Sequence, residues 1–351
     1  MAYEWKVDPQ DLFEERAPQM VSMGLPSQDV IAVRAAVTEM WPDRPGGWVY
    51  EWSQLAARYA ESGQHRPAVL AYGYAKFPSL ADDAKRTAHQ RQLEQYLLAA
   101  AGYRVAFERQ TLDIPCQGAI TPVPVHLLIP PAWTADAPVL LASGGVDTWK
   151  MDIHGICEDL ALRTGLRVVA FDIPGTGEST TPMTADGGAD IVRALIGKAR
   201  HLGNGHVIHL GISMGGHFSA RSGLVGDADA AINIGGPVAT AFAPGRGFAH
   251  GMSGIIGNAL GFDQEPTEAE LGNAFTPFSL QPLLDDDKNA PMLVVNGADD
   301  VHVPREDTLV FNGRRDTEVH LLPGTGHCAM SKWPEVATLI VEWIGRRQER
   351  E

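Results

Sequence analysis

Three side chains in this sequence are spaced and flanked so that together they could attack a carbonyl: Ser213, an aspartate at 299 or 300, and His327. Ser213 is the centre of Gly211-Ile212-Ser213-Met214-Gly215, with the apolar run Val207 to Leu210 in front and a stretch from His217 to Leu224 that can be helical behind. A strand that turns sharply into a helix holds a serine in a strained conformation and projects its hydroxyl above the sheet. Gly211 and Gly215 let strand and helix almost touch there. Further along, Gly297-Ala-Asp-Asp-Val-His-Val-Pro304 and Pro323-Gly-Thr-Gly-His327 each follow a short apolar run. Asp300, three residues after Gly297 and four before Pro304, is the expected acid, with Asp299 as the fallback. Of twelve histidines, His327 combines a Gly-rich loop after a strand with a following helix, Trp333 to Arg346. A neutral imidazole can take the serine proton, and a carboxylate beyond it orients the ring and stabilises its cation. The chemistry this supports is nucleophilic acyl transfer.

Such a constellation needs a rigid frame. Short apolar runs at Val139 to Ala142, Val168 to Phe171, Val207 to Leu210, Ala230 to Ile234, Met292 to Asn296 and Glu318 to Leu322 alternate with helical patterns. That predicts an α/β fold, a mostly parallel sheet covered on both faces, with ligands at the carboxyl ends of its strands. Tyr103 to Leu112 and Pro122 to Ile129 read as an antiparallel hairpin that opens it. Ser143-Gly144-Gly145-Val146-Asp147 follows the first parallel strand. Its glycines leave backbone N–H groups open, so with the N–H of Met214 they can form an oxyanion hole; a plain tight turn is the alternative. Phe171-Asp-Ile-Pro-Gly-Thr-Gly-Glu-Ser179 lacks both a Gly-Lys-Ser/Thr sequence and dinucleotide spacing, and reads as a structural loop.

Residues 1–102 read as a helical cap domain before a core at 103–351, with helical segments such as Ser27 to Met40, Trp48 to Ser62 and Ala81 to Ala101. Trp48, Trp52, Leu55 and Tyr59, with Ala68, Tyr72, Ala75 and Phe77, resemble one tetratricopeptide-like hairpin, too little for a solenoid. More than fifty residues separate Pro237 from Pro291, so a helical lid insertion is expected at about 238–290. Its Phe242, His250 and Met252, and His217 four residues past Ser213, are the candidate substrate-binding residues.

The net charge of −15 and a sequence pI near 5.2 argue against nucleic-acid and anionic-membrane partners. A small-molecule substrate is expected, and a homodimer is compatible with the helical domain. The first ten residues show no basic region and no apolar run, which leads to an expected cytoplasmic location. Three scattered cysteines, Cys116, Cys157 and Cys328, give neither a disulfide framework nor a ligand set, and no metal or cofactor is expected.

The ordered set Ser-Gly-Gly, Asp-x-Pro-Gly-x-Gly-x-Ser, Gly-x-Ser-x-Gly, Gly-x-x-Asp-x-x-x-Pro and Gly-x-Gly-His resembles the α/β-hydrolase superfamily from Tyr103 to the C-terminus. The helical N-terminal region is similar to one branch of it. That branch includes fermentation-respiration switch protein-like esterases, dihydroxypseudooxynicotine hydrolase and fungal enzymes that shorten polyketide chains. Gly144-Gly145-Val146-Asp147 followed by Lys150 looks like that branch's oxyanion loop, with Ser143 where many members of the superfamily carry His. The oxyanion donors are then Met214 and either Gly145 or Val146. The resemblance implies a serine hydrolase and, for several members, cleavage of a C–C bond beside a ketone. The expected function is therefore hydrolysis of an ester, or of such a C–C bond, by Ser213, His327 and Asp300. An acyltransferase or cyclase acting on a polyketide-like acyl group, and a non-catalytic interaction protein, are the alternatives.

Overall fold

The computed structural model describes residues 3–348, and the chain forms two compact units. Residues 3–103 and Gly247–Thr267 make up the first; Arg104–Arg246 and residues 268–348 make up the second.

In the first unit, helices Pro9–Ser22, Ser27–Ala36, Trp48–Glu61, His65–Ala75 and Asp83–Ala99 enclose an aromatic core. Phe13, Trp48 and Trp52 lie at its centre, each fully buried. Apolar and aromatic residues three and four apart put them on one face of each helix, and each large side chain removed from water contributes about 1.5–3 kcal/mol. The expected helix ends shift inward, because Asp82 accepts the N–H of Lys85 and so starts its helix at Asp83, while residues 37–38 turn to meet Gly46. The stretch expected at about 238–290 is divided between the units. Its middle, Gly247–Thr267, packs in the first unit, where the Trp5 ring leaves no room for a side chain at Gly254 and Trp5 Nε1 donates to the Gly251 carbonyl at 2.9 Å.

The second unit is built on one eight-stranded sheet. Strands β1 (Ala106–Cys116), β2 (Ala119–Ile129), β3 (Val139–Ser143), β4 (Arg167–Phe171), β5 (Val207–Ile212), β6 (Ala230–Ile234), β7 (Met292–Gly297) and β8 (Thr317–Leu322) line up in the order β1-β2-β4-β3-β5-β6-β7-β8. β1 and β2 pair antiparallel, as do β2 and β4, and the other neighbours are parallel. This hairpin is longer than the alternation suggests. Gln117 (φ 48°) and Gly118 (φ 82°) make a two-residue turn of the kind whose twist suits a hairpin, so pairing runs up to Cys116 and Ala119. Every residue of β3, β5, β6 and β7 is buried, which explains why these strands are apolar on both faces apart from Ser143, His209, Asn233 and Asn296. Register places Ser143 beside both Phe171 and Gly211, so the loops after β3, β4 and β5 leave the sheet at one level. Among the described residues no helix is long and apolar enough to cross a membrane.

Candidate active site

Ser213 follows β5 directly and precedes the helix Met214–Val225. Its backbone has φ 56° and ψ −125°, a conformation L-residues rarely adopt. Three contacts hold it there. Its N–H donates to Ile234 O at 2.8 Å, its carbonyl accepts from Gly216 N at 2.7 Å, and a side chain at Gly211 would overlap the Gly215 carbonyl. A Cβ on Gly215 would in turn strike the Gly144 carbonyl and lie 2.6 Å from Ser143 Oγ. The glycine spacing around Ser213 is thus a packing requirement between β5, its helix and the β3 loop.

His327 Nε2 lies 2.9 Å from Ser213 Oγ, and His327 Nδ1 lies 2.7 Å from Asp300 Oδ2. Asp300 as a carboxylate can only accept, so Nδ1 carries the hydrogen of the neutral ring and Nε2 is free to accept from the Ser213 hydroxyl. Asp300 also accepts from Asn296 Nδ2 at 2.9 Å and from the N–H groups of His302 and Val303 at 2.8 and 3.2 Å. Burial would raise its pKa, but the bond and charge of His327, with Asn296 and the His302 N–H, outweigh burial and hold it at about 2. For His327, burial disfavours the charged ring, while the adjacent Cys328 and the Asp300 carboxylate favour it. The net result is a pKa well above the ordinary imidazole value. Asp299, the fallback acid, is exposed, and its N–H donates to Thr325 O at 3.0 Å.

The loop after β3 turns tightly, with the Gly145 N–H donating to Thr148 O at 2.9 Å. That bond occupies the Gly145 donor and corrects the expectation that this N–H is open. The Val146 N–H has no acceptor among the described residues, and the Gly145 Cα is so close to Ser213 that a Cβ there would sit 3.0 Å from Oγ. Met214 is the first residue of its helix, so its N–H has no helical partner. The loop is anchored from behind. Lys150 Nζ, fully buried, pairs with Asp172 Oδ2 and lies 2.8 Å from Glu178 Oε2. The Lys150 N–H donates to Asp172 Oδ1 at 2.8 Å, and Arg109 of β1 reaches Glu178 at 2.6 Å. The Asp172–Glu178 loop is structural, as its sequence suggests, through charge as well as glycine.

Of the expected substrate-binding residues, His217 and Phe242 lie in a packed aromatic cluster with Phe275 and Phe278 rather than on an open wall. His217 Nδ1 bonds to Pro237 O at 3.1 Å, and burial pushes its pKa down to about 3, so it is a neutral packing histidine. His250, with φ 52°, and the buried Met252 belong to the first unit. The sequence reading missed three residues. His302 places its ring edge-on to His327 with centroids 5.2 Å apart. Asp307 accepts the N–H groups of Val238, Ala239, Thr240 and Ala241 and fixes the chain as it leaves β6. Asn296, fully buried at the end of β7, is the third, and the signal for it was present: a polar residue closing an apolar strand needs a partner. Among the described residues no group of His, Cys, Asp or Glu is arranged to hold a metal ion.

Comparison with known proteins agrees with this architecture. A family described as alpha/beta hydrolase fold matches residues 137–223, from the entry to β3 through most of the helix after Ser213. Over 204 residues, 52% of this chain, the sequence is 26% identical to Esterase FrsA of Photobacterium profundum, covering 46% of that protein. It is 28% identical over 153 residues to Esterase FrsA of Pectobacterium atrosepticum, covering 35% of it. The match thus spans less than half the length of these curated relatives. Among solved structures, wild-type AbyA5 superposes with a TM-score of 0.77 at 20% identity over 95% of both chains. The 2,6-dihydroxy-pseudo-oxynicotine hydrolase does so with 0.74 at 20% identity over 93% of this chain and 94% of that one. The fold is shared with both.

Proposed function

We propose, from the premise that the chain is an α/β-hydrolase, that it is a serine esterase in which Ser213 is the nucleophile, His327 the general base and then acid, and Asp300 the orienting carboxylate. The observation that carries the reading is the unbroken run of hydrogen bonds from Ser213 Oγ through both nitrogens of His327 to Asp300 Oδ2, at 2.9 and 2.7 Å. In the reaction Ser213 Oγ bonds to the ester carbonyl carbon as its proton passes to His327 Nε2. The C–O bond then breaks and His327 returns the proton to the departing alcohol, leaving an acyl-Ser213. Water, deprotonated by His327, attacks the acyl carbon, the acid departs and Ser213 is regenerated. The N–H groups of Met214 and Val146 are the proposed oxyanion donors, each worth about 3 kcal/mol in the transition state. Val146 is preferred to Gly145 because Gly145 already donates to Thr148.

The substrate in this reading is a small to medium, largely apolar carbonyl compound, and the setting is cytoplasmic; the net charge of −15 supports neither nucleic acid nor anionic membrane as partner. Hydrolysis of a C–C bond beside a ketone is the second reading. It needs a group to protonate the departing carbanion, and His302, edge-on to His327, is the titratable side chain that favours it. Turnover of p-nitrophenyl acyl esters of increasing length, beside β-diketones, by wild-type and Ser213→Ala protein tests both. Ser213-dependent release from the esters is expected. Weak ester turnover with clear diketone cleavage moves the assignment to the C–C bond, and equal turnover by both proteins on every substrate sinks it.

A further inference from the structure

We propose that Asn296 is a positioning residue for this relay: one buried amide whose Nδ2 aims the Asp300 carboxylate at His327 and whose Oδ1 holds the backbone that carries His327. The inference rests on the serine-hydrolase reading above. Asn296 has no exposed surface, and it uses both ends of its amide. Nδ2 donates at 2.9 Å to Asp300 Oδ2, the same oxygen that receives His327 Nδ1. Oδ1 accepts the Cys328 N–H at 3.0 Å and the Gly297 N–H at 2.8 Å. The orientation of the amide follows from its partners, since two N–H groups require an acceptor and a carboxylate requires a donor.

Those partners lie on both loops of the relay. Cys328 is the residue after His327, and it and Ala329 have φ of 57° and 51°, a left-handed turn that an L-residue keeps only when its surroundings enforce it. Asn296 supplies one constraint through the Cys328 N–H. Gly235 supplies another, because a Cβ there would lie 2.6 Å from Cys328 Sγ. The two loops are also joined backbone to backbone, with Ala298 N on Leu322 O at 2.8 Å and Asp299 N on Thr325 O at 3.0 Å. Asn296 is the side chain that links this frame to the reacting groups. The groups facing His327 are Asp300, Cys328, His302 and Ser213, and the Asn296 side chain touches two of them, the Asp300 carboxylate through Nδ2 and the Cys328 backbone N–H through Oδ1. Removing Nδ2 leaves the carboxylate less satisfied and a stronger partner for the imidazolium.

The test is the pH dependence of Ser213 labelling by a fluorophosphonate in wild type, Asn296→Leu and Asn296→Asp, with the melting temperature of each. Wild type is expected to label with one acid limb. Asn296→Leu should label about tenfold more slowly at neutral pH, with its limb moved up by about one pH unit, the size of one hydrogen bond to a charged group. Asn296→Asp keeps an acceptor for Cys328 and Gly297 but sets a buried carboxylate against Asp300, so it should melt at a lower temperature than wild type and carry its limb at higher pH. Limbs at the wild-type position in both variants, with slower labelling that merely follows lost stability, would overturn the role of Asn296 and leave the hydrolase reading intact. Wild-type protein that does not label at all would overturn both.

Discussion

On the side of Asp300 and His327, the loops after β7 and β8 are joined by amide hydrogen bonds and close backbone packing; on the side of Gly144 to Lys150, the loop after β3 is tied to the loop after β4 by buried charges. Gly297 marks the first arrangement, since a Cβ there would overlap the carbonyls of Thr325 and Gly326. Lys150, Asp172 and Glu178 mark the second, with Gly177 so near the Asp172 carboxylate that a side chain would overlap it. In the proposed mechanism the two sides have different tasks. A proton relay needs a carboxylate and an imidazole whose charges are free to respond to each other, so neutral amides are suitable neighbours. A loop that offers backbone N–H groups has no charge of its own, so fixed ion pairs behind it can hold it without entering the reaction.

That contrast says which side should lose rate and which should lose stability. Asp300→Asn should have the largest effect on rate: the ring loses its tautomer control and its counter-charge, and kcat should fall about 10⁴-fold on the ester panel with a small change in melting temperature. A loss under tenfold would remove Asp300 from the relay. Lys150→Met should act the other way round. It leaves Asp172 buried without its cation and Glu178 with Arg109 alone, which costs about 3–5 kcal/mol, read from the urea midpoint, before any effect on the loop after β3 is counted. An unchanged midpoint would mean that the ion pairs do not hold that loop.

The pH profile sharpens the comparison at lower amplitude. The His327 pKa is raised above the ordinary imidazole value, and in the proposed mechanism only its neutral form accepts the Ser213 proton. kcat/KM should therefore fall as pH is lowered through that raised pKa, about tenfold per unit, with the limb above about 6.5. A limb below that value would place the controlling titration elsewhere. The smallest effect belongs to Asp299→Asn. Exposed beside the relay but outside it, this change should leave both kcat and the melting temperature within about 0.5 kcal/mol of wild type.

Much of this was legible in the sequence because it is local. Period-2 and continuous apolar runs mark strands wherever a face is buried, and all eight strands fall where those runs predict, within a few residues at their ends. The Gly-x-Ser-x-Gly spacing is legible as a motif, and Gly211 answers to a steric limit within one turn, whereas Gly215 answers to Ser143 and Gly144 of the β3 loop. The order of Ser213, acid and His327, each at the carboxyl end of a strand, is legible too. The tertiary structure decided whatever depends on residues far apart in the chain. It turned Asp300, and not Asp299, toward a ring 27 residues away, and it bonded the Gly145 N–H to Thr148. It buried His217 among phenyl rings brought in from residues 242–278 and drew Gly247–Thr267 into the first unit around Trp5. It also gave Lys150 and Asn296 their partners, because a buried charge or amide is defined by what surrounds it, and composition and periodicity do not carry that information.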